Sequence, residues 1–224
     1  MNKIFAVRIG ERYGIEYENY LNKKLCDYDI TWIREPYDPR IKLQWNKMYP
    51  MSLDIDEPVV VMDIDLLLIN DYKKLFDYQI QPGEFLGIPS WWRDTPGYKI
   101  NGGFFKYYPK DCKYIYDKFM SDPEYWQEYY IKNGTTVGPV NGEQHFVQDS
   151  VKERLVIKTL PEAWVCRWSN SYNMTESQYA DWKYNINRKY TEVTGNEYLN
   201  LGEFHKDIKL IHFTHAQNAP EFFI

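Results

Sequence analysis

Two carboxylates, Asp63 and Asp65, stand one residue apart behind the apolar run Val59-Val60-Val61-Met62, and the chain turns apolar again at Leu66-Leu67-Leu68-Ile69. A short β-branched run of this kind predicts a strand buried on both faces, as in the middle of a parallel sheet. Unpaired carboxylates are costly to bury, so in such a place they are paired, protonated or bound to a metal. In an open α/β sheet, ligands gather outside the carboxyl ends of the strands. If the chain stays extended through 63–65, both side chains point the same way. Two hard oxygen ligands on one side suit Mn2+ or Mg2+. The plainer alternative is that one Asp caps the next segment while the other pairs with a Lys or Arg.

Other polar groups fall at element ends. Gly142-Glu143-Gln144-His145 closes a Gly-containing loop over 133–142 and opens a helix predicted over 146–151. Glu143 there either favours the helix N-terminus or faces a substrate. Asn101 stands with Gly102 and Gly103 inside the strand-like run 98–107, and glycines in a strand mark a bulge or the close approach of a ligand. Near the end, Ile208-Lys209-Leu210-Ile211 runs into His212 and His215. The tandem Trp91-Trp92 beside Arg93 reads as a recognition surface, a clamp over a ligand, or core.

The elements that must position these groups alternate strand and helix. Strands are predicted at 4–9, 30–33, 85–89, 155–160 and 164–168, besides those already named. Helices are predicted at 15–25, 71–76 and 111–120, and another at 41–53, kinked or ended early by Pro50. The first strand runs into Gly10-Glu11-Arg12-Tyr13-Gly14, which lacks a dinucleotide or phosphate-loop pattern. Residues 123–130 are aromatic, and 169–204 read as a polar, Tyr-rich elaboration with little periodicity, a lid or an acceptor segment. The expectation is one α/β domain over 1–224 with a mixed, mostly parallel sheet flanked by helices.

Composition narrows the partners. A net charge of -5 gives no general attraction to nucleic acid or anionic membrane. The 21 Tyr and 8 Trp exceed what a core needs, and aromatic faces stack on bases and sugars; a biased genome is the competing explanation. Three widely spaced cysteines, Cys26, Cys112 and Cys166, fit reduced thiols rather than a disulfide framework or zinc site. With no signal peptide, membrane anchor or apolar run of spanning length, the expectation is a soluble cytoplasmic enzyme, bacterial or viral.

Lys42-Leu43-x-Trp45, Val61-Met62-Asp63-Ile64-Asp65, Leu75-Phe76, Ile100-Asn101-Gly102-Gly103-Phe104-Phe105, Gly142-Glu143-Gln144 and Ile211-His212-Phe213 occur in an order that resembles the GT-A glycosyltransferases, most of all glycosyltransferase family 8, the glycogenin and galactosyltransferase group. The match covers most of 1–160 in outline plus the last strand. This resemblance implies a GT-A (Rossmann-like) fold and a metal-dependent transfer of a hexose from a nucleotide-diphospho-sugar, a UDP-sugar first among them, with retention. The acceptor is a glycan, protein, lipid or modified nucleic acid. It implies that Asp63, Asp65 and His212 hold Mn2+ or Mg2+, and that Arg8, Tyr13, Lys42, Ile64 and His215 face the nucleotide. Asn101, Gly102, Glu143 and Gln144 would hold the sugar, with Glu143 or Gln144 nearest the reacting carbon.

There are departures from that pattern. Ile64 replaces a small residue, and Glu143 is one methylene longer than the family's acid. The family's Gly-x-x-Lys-Pro-Trp tail is replaced by Thr214-His215-Ala216-Gln217-Asn218-Ala219-Pro220. The lost lysine leaves His215 or Lys42 to substitute at the diphosphate. Two other readings remain: a sugar-binding module without turnover, and a haloacid-dehalogenase-type phosphatase. The latter expects Thr or Val where Leu67 stands and a late acidic pair.

Overall fold

The computed structural model describes residues 3–92, 97, 99–133, 142–169, 174–200, 203–214 and 223. In chain order, β1 (Lys3–Val7), α1 (Ile15–Lys24) and β2 (Asp29–Ile33) come first. A 3-10 helix (Leu43–Ser52), β3 (Val59–Met62), β4 (Leu66–Leu68), α2 (Lys73–Asp77), β5 (Glu84–Pro89) and β6 (Ile100–Tyr107) follow. Then come α3 (Pro109–Ser121), α4 (Pro123–Asn133), α5 (Glu143–Val151), β7 (Val156–Thr159) and β8 (Val165–Ser169). The described chain closes with α6 (Glu176–Thr194), β9 (Leu199–Asn200), β10 (Glu203–Phe204) and β11 (Leu210–Thr214).

The main sheet has six strands in the order β2-β1-β3-β6-β5-β7. All neighbours are parallel except where β6 runs against β3 and β5. This is the mixed, mostly parallel sheet expected. Alternation puts Val60 and Met62 into the cluster that holds Ile4, Ala6 and Leu21, while Val59 and Val61 join Trp45, Phe105 and Phe119 on the opposite face. Both faces of β3 are therefore dry, as its β-branched run requires.

A second sheet of three strands, β4-β11-β8, stands beside the end of β3. The chain does not stay extended through 63–65: β3 ends at Met62 and β4 begins the other sheet at Leu66, with a bend between. The bend is pinned at each end, since Asp63 N–H donates to Gly103 O at 2.8 Å and Phe213 N–H donates to Asp65 O at 3.1 Å. The two aspartates thus sit in the seam between sheets, and strand alternation is not what brings them together.

Three further segments take forms that the sequence pattern did not specify. The segment over 41–53 is a 3-10 helix with Pro50 inside it; Pro lacks the donor that an α-helix would need there. Residues 123–130, read only as aromatic, belong to α4. Within 169–204, read as weakly periodic, α6 runs for 19 residues. It is started by a capping box of Thr175 and Gln178 and stopped by Gly195 in the left-handed region. Its buried residues, Ile186 and Tyr190, are few, so its apolar face is too narrow to stand out in a Tyr-rich stretch. The three cysteines are free, as expected.

Gly142 starts α5 with φ +122°, and a Cβ there would lie 2.8 Å from the Tyr130 backbone. Gly142→Ala should therefore cost about 2 kcal/mol or more. A urea midpoint unchanged from the parent would show that this turn does not need glycine.

Candidate active site

β3 delivers Asp63, the bend delivers Asp65, and β11 delivers His212 from the other sheet. One ligand atom from each lies within 4.8 Å of the other two, and all three side chains are partly exposed. Two carboxylates and an imidazole at this spacing fit a hard divalent ion that also accepts nitrogen. The sheet is built around them: a Cβ on Gly103 would lie 3.0 Å from His212 Cδ2, so glycine is what lets the imidazole in. Trp92, 6% exposed, stacks on His212 with ring centres 6.3 Å apart, holding the other face of the ring.

Behind the aspartates is a lysine that sequence reading passed over. Lys47 Nζ, carried by the 3-10 helix, pairs with Asp63 Oδ1, stands 3.4 Å from Glu143 Oε1, and donates to Gly102 O at 3.0 Å. Burial opposes its charge, but Asp63 and then Glu143 outweigh burial and hold the ammonium above the usual lysine range. Burial pushes Glu143 up, Lys47 draws it back, and Asp63 repels it further. Asp65 is pushed up to about 7 by burial first and then by Asp63. Tyr13 donates to Asp65 Oδ2 at 2.8 Å. Burial and that carboxylate both raise the tyrosine hydroxyl, keeping it a donor.

The sugar-side residues meet as well. Asn101 Nδ2 and Gly102 N–H donate to Gln144 Oε1 at 3.3 and 3.1 Å, and Gly103 N–H donates to Asn101 Oδ1 at 2.9 Å. Opposite this point, β5 slips: Gly87 pairs with Phe105 while Ile88 pairs with Asn101. A bulge, one of the two readings of the paired glycines, is present. Gln148, one turn along α5, accepts from Lys99 and Ile100 N–H at 2.7 and 3.0 Å and ties the helix to β6.

Residues expected at the nucleotide are more scattered. Arg8 follows β1 and is held by Glu18 at 2.8 Å, a buried carboxylate that Arg34, following β2, also pairs. Ile64 is buried in the core, so only its backbone is left for a ligand. Lys42 is exposed where the 3-10 helix begins, and the cation against the aspartates is Lys47 instead. His215 lies outside the described residues. Of the tandem tryptophans, Trp92 is core and Trp91 is half-buried, donating from Nε1 to Val165 O at 3.0 Å.

The connectivity and this seam can be set beside solved structures. GlyE, a glycosyltransferase of Streptococcus pneumoniae, superposes with a TM-score of 0.60 over 95% of this chain at 13% identity. The fold is GT-A-like. Galactosyltransferase LgtC, solved with donor and acceptor sugar analogues, matches with a TM-score of 0.51 over 99% of this chain and 93% of its own, at 10% identity. The bifunctional glycosyltransferase WbbM matches with a TM-score of 0.54 over 94% of this chain at 11% identity. The chain spans 55% of the length of GlyE and 45% of that of WbbM. No protein-family model and no curated protein sequence matches it.

Lys47 escaped the sequence reading because an α-helical spacing over 41–53 gives it no special face, whereas the 3-10 helix turns it toward β3. A basic residue between buried Trp45, Asn46 and Met48 was the available signal. Lys47→Met should destabilise the metal-free protein by about 3 kcal/mol, because two carboxylates lose their counter-charge. Added Mn2+ should recover more stability in this variant than in the parent, and equal denaturant midpoints without metal would contradict the pairing.

Asp65 sets a pH dependence. Burial and the neighbouring Asp63 push its pKa up to about 7, above the ordinary aspartate value of 3.8, so the folded chain holds this proton more tightly than the unfolded one. Its stabilising contribution is full below about 4 and is lost as pH rises through about 7. Metal binding, which needs the carboxylate, should tighten over the same rise. Melting curves in chelator at pH 5 and pH 8 check this, and Asp65→Asn should remove the difference.

Proposed function

We propose that this chain is a metal-dependent glycosyltransferase that moves a hexose from a nucleotide-diphospho-sugar, UDP-sugars first, to an acceptor hydroxyl with retention. The observation that carries the reading is the group Asp63, Asp65 and His212 at the seam of a GT-A-like fold, with Lys47, Glu143 and Gln144 immediately behind it. Mn2+ or Mg2+ held by those three residues would supply Lewis-acid stabilisation of the departing diphosphate.

The chain's own residues then divide the remaining work. Tyr13 orients Asp65 through its hydroxyl. Lys47 keeps Asp63 and Glu143 together in a buried place where their repulsion would otherwise drive them apart or protonate one of them. Asn101 and Gln144 fix each other's amides and, with Gly102, form a rigid wall suited to sugar hydroxyls. Glu143 and Gln144 stand nearest the reacting carbon in this reading. The bond from that carbon to the phosphate oxygen breaks with its electron pair leaving on the diphosphate. The acceptor oxygen bonds the same face of the carbon, and its proton passes to the freed phosphate oxygen.

A module that binds sugar without turnover uses the same wall. The phosphatase reading has less support, because the cation and third acid beside the aspartates come from a 3-10 helix and α5 rather than from a late strand end. Among the described residues, no helix is long and apolar enough to cross a membrane; the cytoplasm is the compartment proposed.

The test is a panel of nucleotide-diphospho-sugars with and without Mn2+, followed by melting temperature and by release of nucleoside diphosphate. The expected result is metal-dependent stabilisation by one donor, slow release of its nucleoside diphosphate in water, and loss of both in Asp65→Ala. Release of inorganic phosphate instead would favour the phosphatase, and stabilisation without release would favour the binding module.

A further inference from the structure

We infer that Arg167 is the residue that grips the donor's diphosphate, in place of the tail lysine this sequence lacks. The inference rests on the glycosyltransferase reading above and adds a binding residue to the same site. Register carries it: on the parallel pair of β8 and β11, Arg167 is the partner of His212 and Val165 the partner of Leu210. Partners in register project from the same face of a sheet, on strands about 4.8 Å apart. Arg167 therefore leaves β8 beside His212, on the face that meets Asp63 and Asp65.

Burial along the strand agrees. Val165, two residues earlier on that face, is fully buried, and Arg167 is half-buried, so the face emerges from the core where Arg167 stands. Arg167 and His212 are each the middle residue of a five-residue strand, so the two side chains are set side by side by strand pairing rather than by a loop. The backbone of β8 is fixed at that point: Tyr198 Oη donates to Arg167 O at 3.1 Å, and Trp91 Nε1 donates to Val165 O at 3.0 Å.

Charge explains why a cation is needed. Asp63, Asp65 and Glu143 face one ammonium, Lys47, leaving a deficit that a divalent ion cancels. A diphosphate then brings further negative charge, which a cation beside the metal ligands would meet. Guanidinium matches phosphate oxygens two at a time. Arg12 lies over the Tyr13 ring, and Lys189 Nζ reaches Trp92 O at 3.4 Å. Lys42 is exposed at the start of the 3-10 helix.

The experiment is calorimetric titration of uridine, guanosine, adenosine and cytidine diphosphates into the full chain with saturating Mn2+. The parent is compared with Arg167→Gln, Arg167→Lys and the surface control Arg188→Gln, which loses only an exposed pair with Glu192. For the diphosphate the parent binds best, Arg167→Gln should weaken binding about 10- to 100-fold. Arg167→Lys should recover part of that loss, and the control should match the parent. Affinity for Mn2+ alone, titrated separately, should be unchanged or slightly tighter in Arg167→Gln, because a nearby positive charge is gone. Parent-like diphosphate binding by Arg167→Gln overturns the inference. So does an equal loss in both Arg167 variants together with lost Mn2+ affinity, which would mark a structural role. A parent that binds no diphosphate with Mn2+ overturns the glycosyltransferase reading itself, a separate outcome.

Discussion

The ammonium of Lys47, buried against Asp63 and Glu143, is the constraint on which the rest of the site depends. Carboxylates this close repel, and burial raises the cost of every unpaired charge. One cation with three donors can meet both acids and still reach the Gly102 carbonyl. It thereby locks together four pieces far apart in sequence: the 3-10 helix, the end of β3, the glycine pair of β6 and the first turn of α5. The arrangement leaves Asp63 with one oxygen occupied and Asp65 held by Tyr13. Each acid is therefore oriented before any ligand arrives, which lowers the cost of ordering the site on binding.

The imidazole is supplied by a different layer. β11 lies between β4 and β8, and His212 is in register with Leu66, the first residue after the aspartate bend. The second sheet is thus joined to the first by the same three residues that carry the acids. Trp92 and Gly103 fill and clear the two sides of His212. Trp92 in turn is braced by α6, since Lys189 donates to its carbonyl and Tyr190 packs on Trp91 with ring centres 5.6 Å apart. The segment over 169–204 accordingly touches the loop that stacks on a site residue. A shift in that helix would be felt at the imidazole through packed rings.

Arg8, Glu18 and Arg34 form a second charged knot at the carboxyl ends of β1 and β2. Burial disfavours the carboxylate, but bonds from Arg34 and Arg8 outweigh it and hold Glu18 below the usual range. One buried acid clamps two strand ends while leaving Arg34 half in solvent. The edge of the sheet beside the Gly10–Gly14 loop is thereby kept rigid where a nucleotide would lie in the proposed function.

How far the site was legible varies with the physical scale of each feature. The strands at β1, β2, β3, β5 and β11 were legible because apolar runs broken by polar ends reflect burial that each strand enforces locally. Asp63, Asp65 and His212 stood out for the same reason, as polar groups at the ends of such runs. The glycines at 102 and 103 marked either a bulge or the approach of a ligand, and a bulge is there. The kind of helix over 41–53, the bend between the aspartates and the docking of α6 depend on what packs against them, and no local pattern encodes that. Lys47 reads in sequence as one more solvated lysine; only tertiary structure decides that it is buried, because its partners come from sixteen and ninety-six residues away. The amino-acid sequence by itself determined which groups are capable of the chemistry. The packing of two sheets decided which of them meet, since charge pairing across a seam depends on distances that the order of residues does not contain.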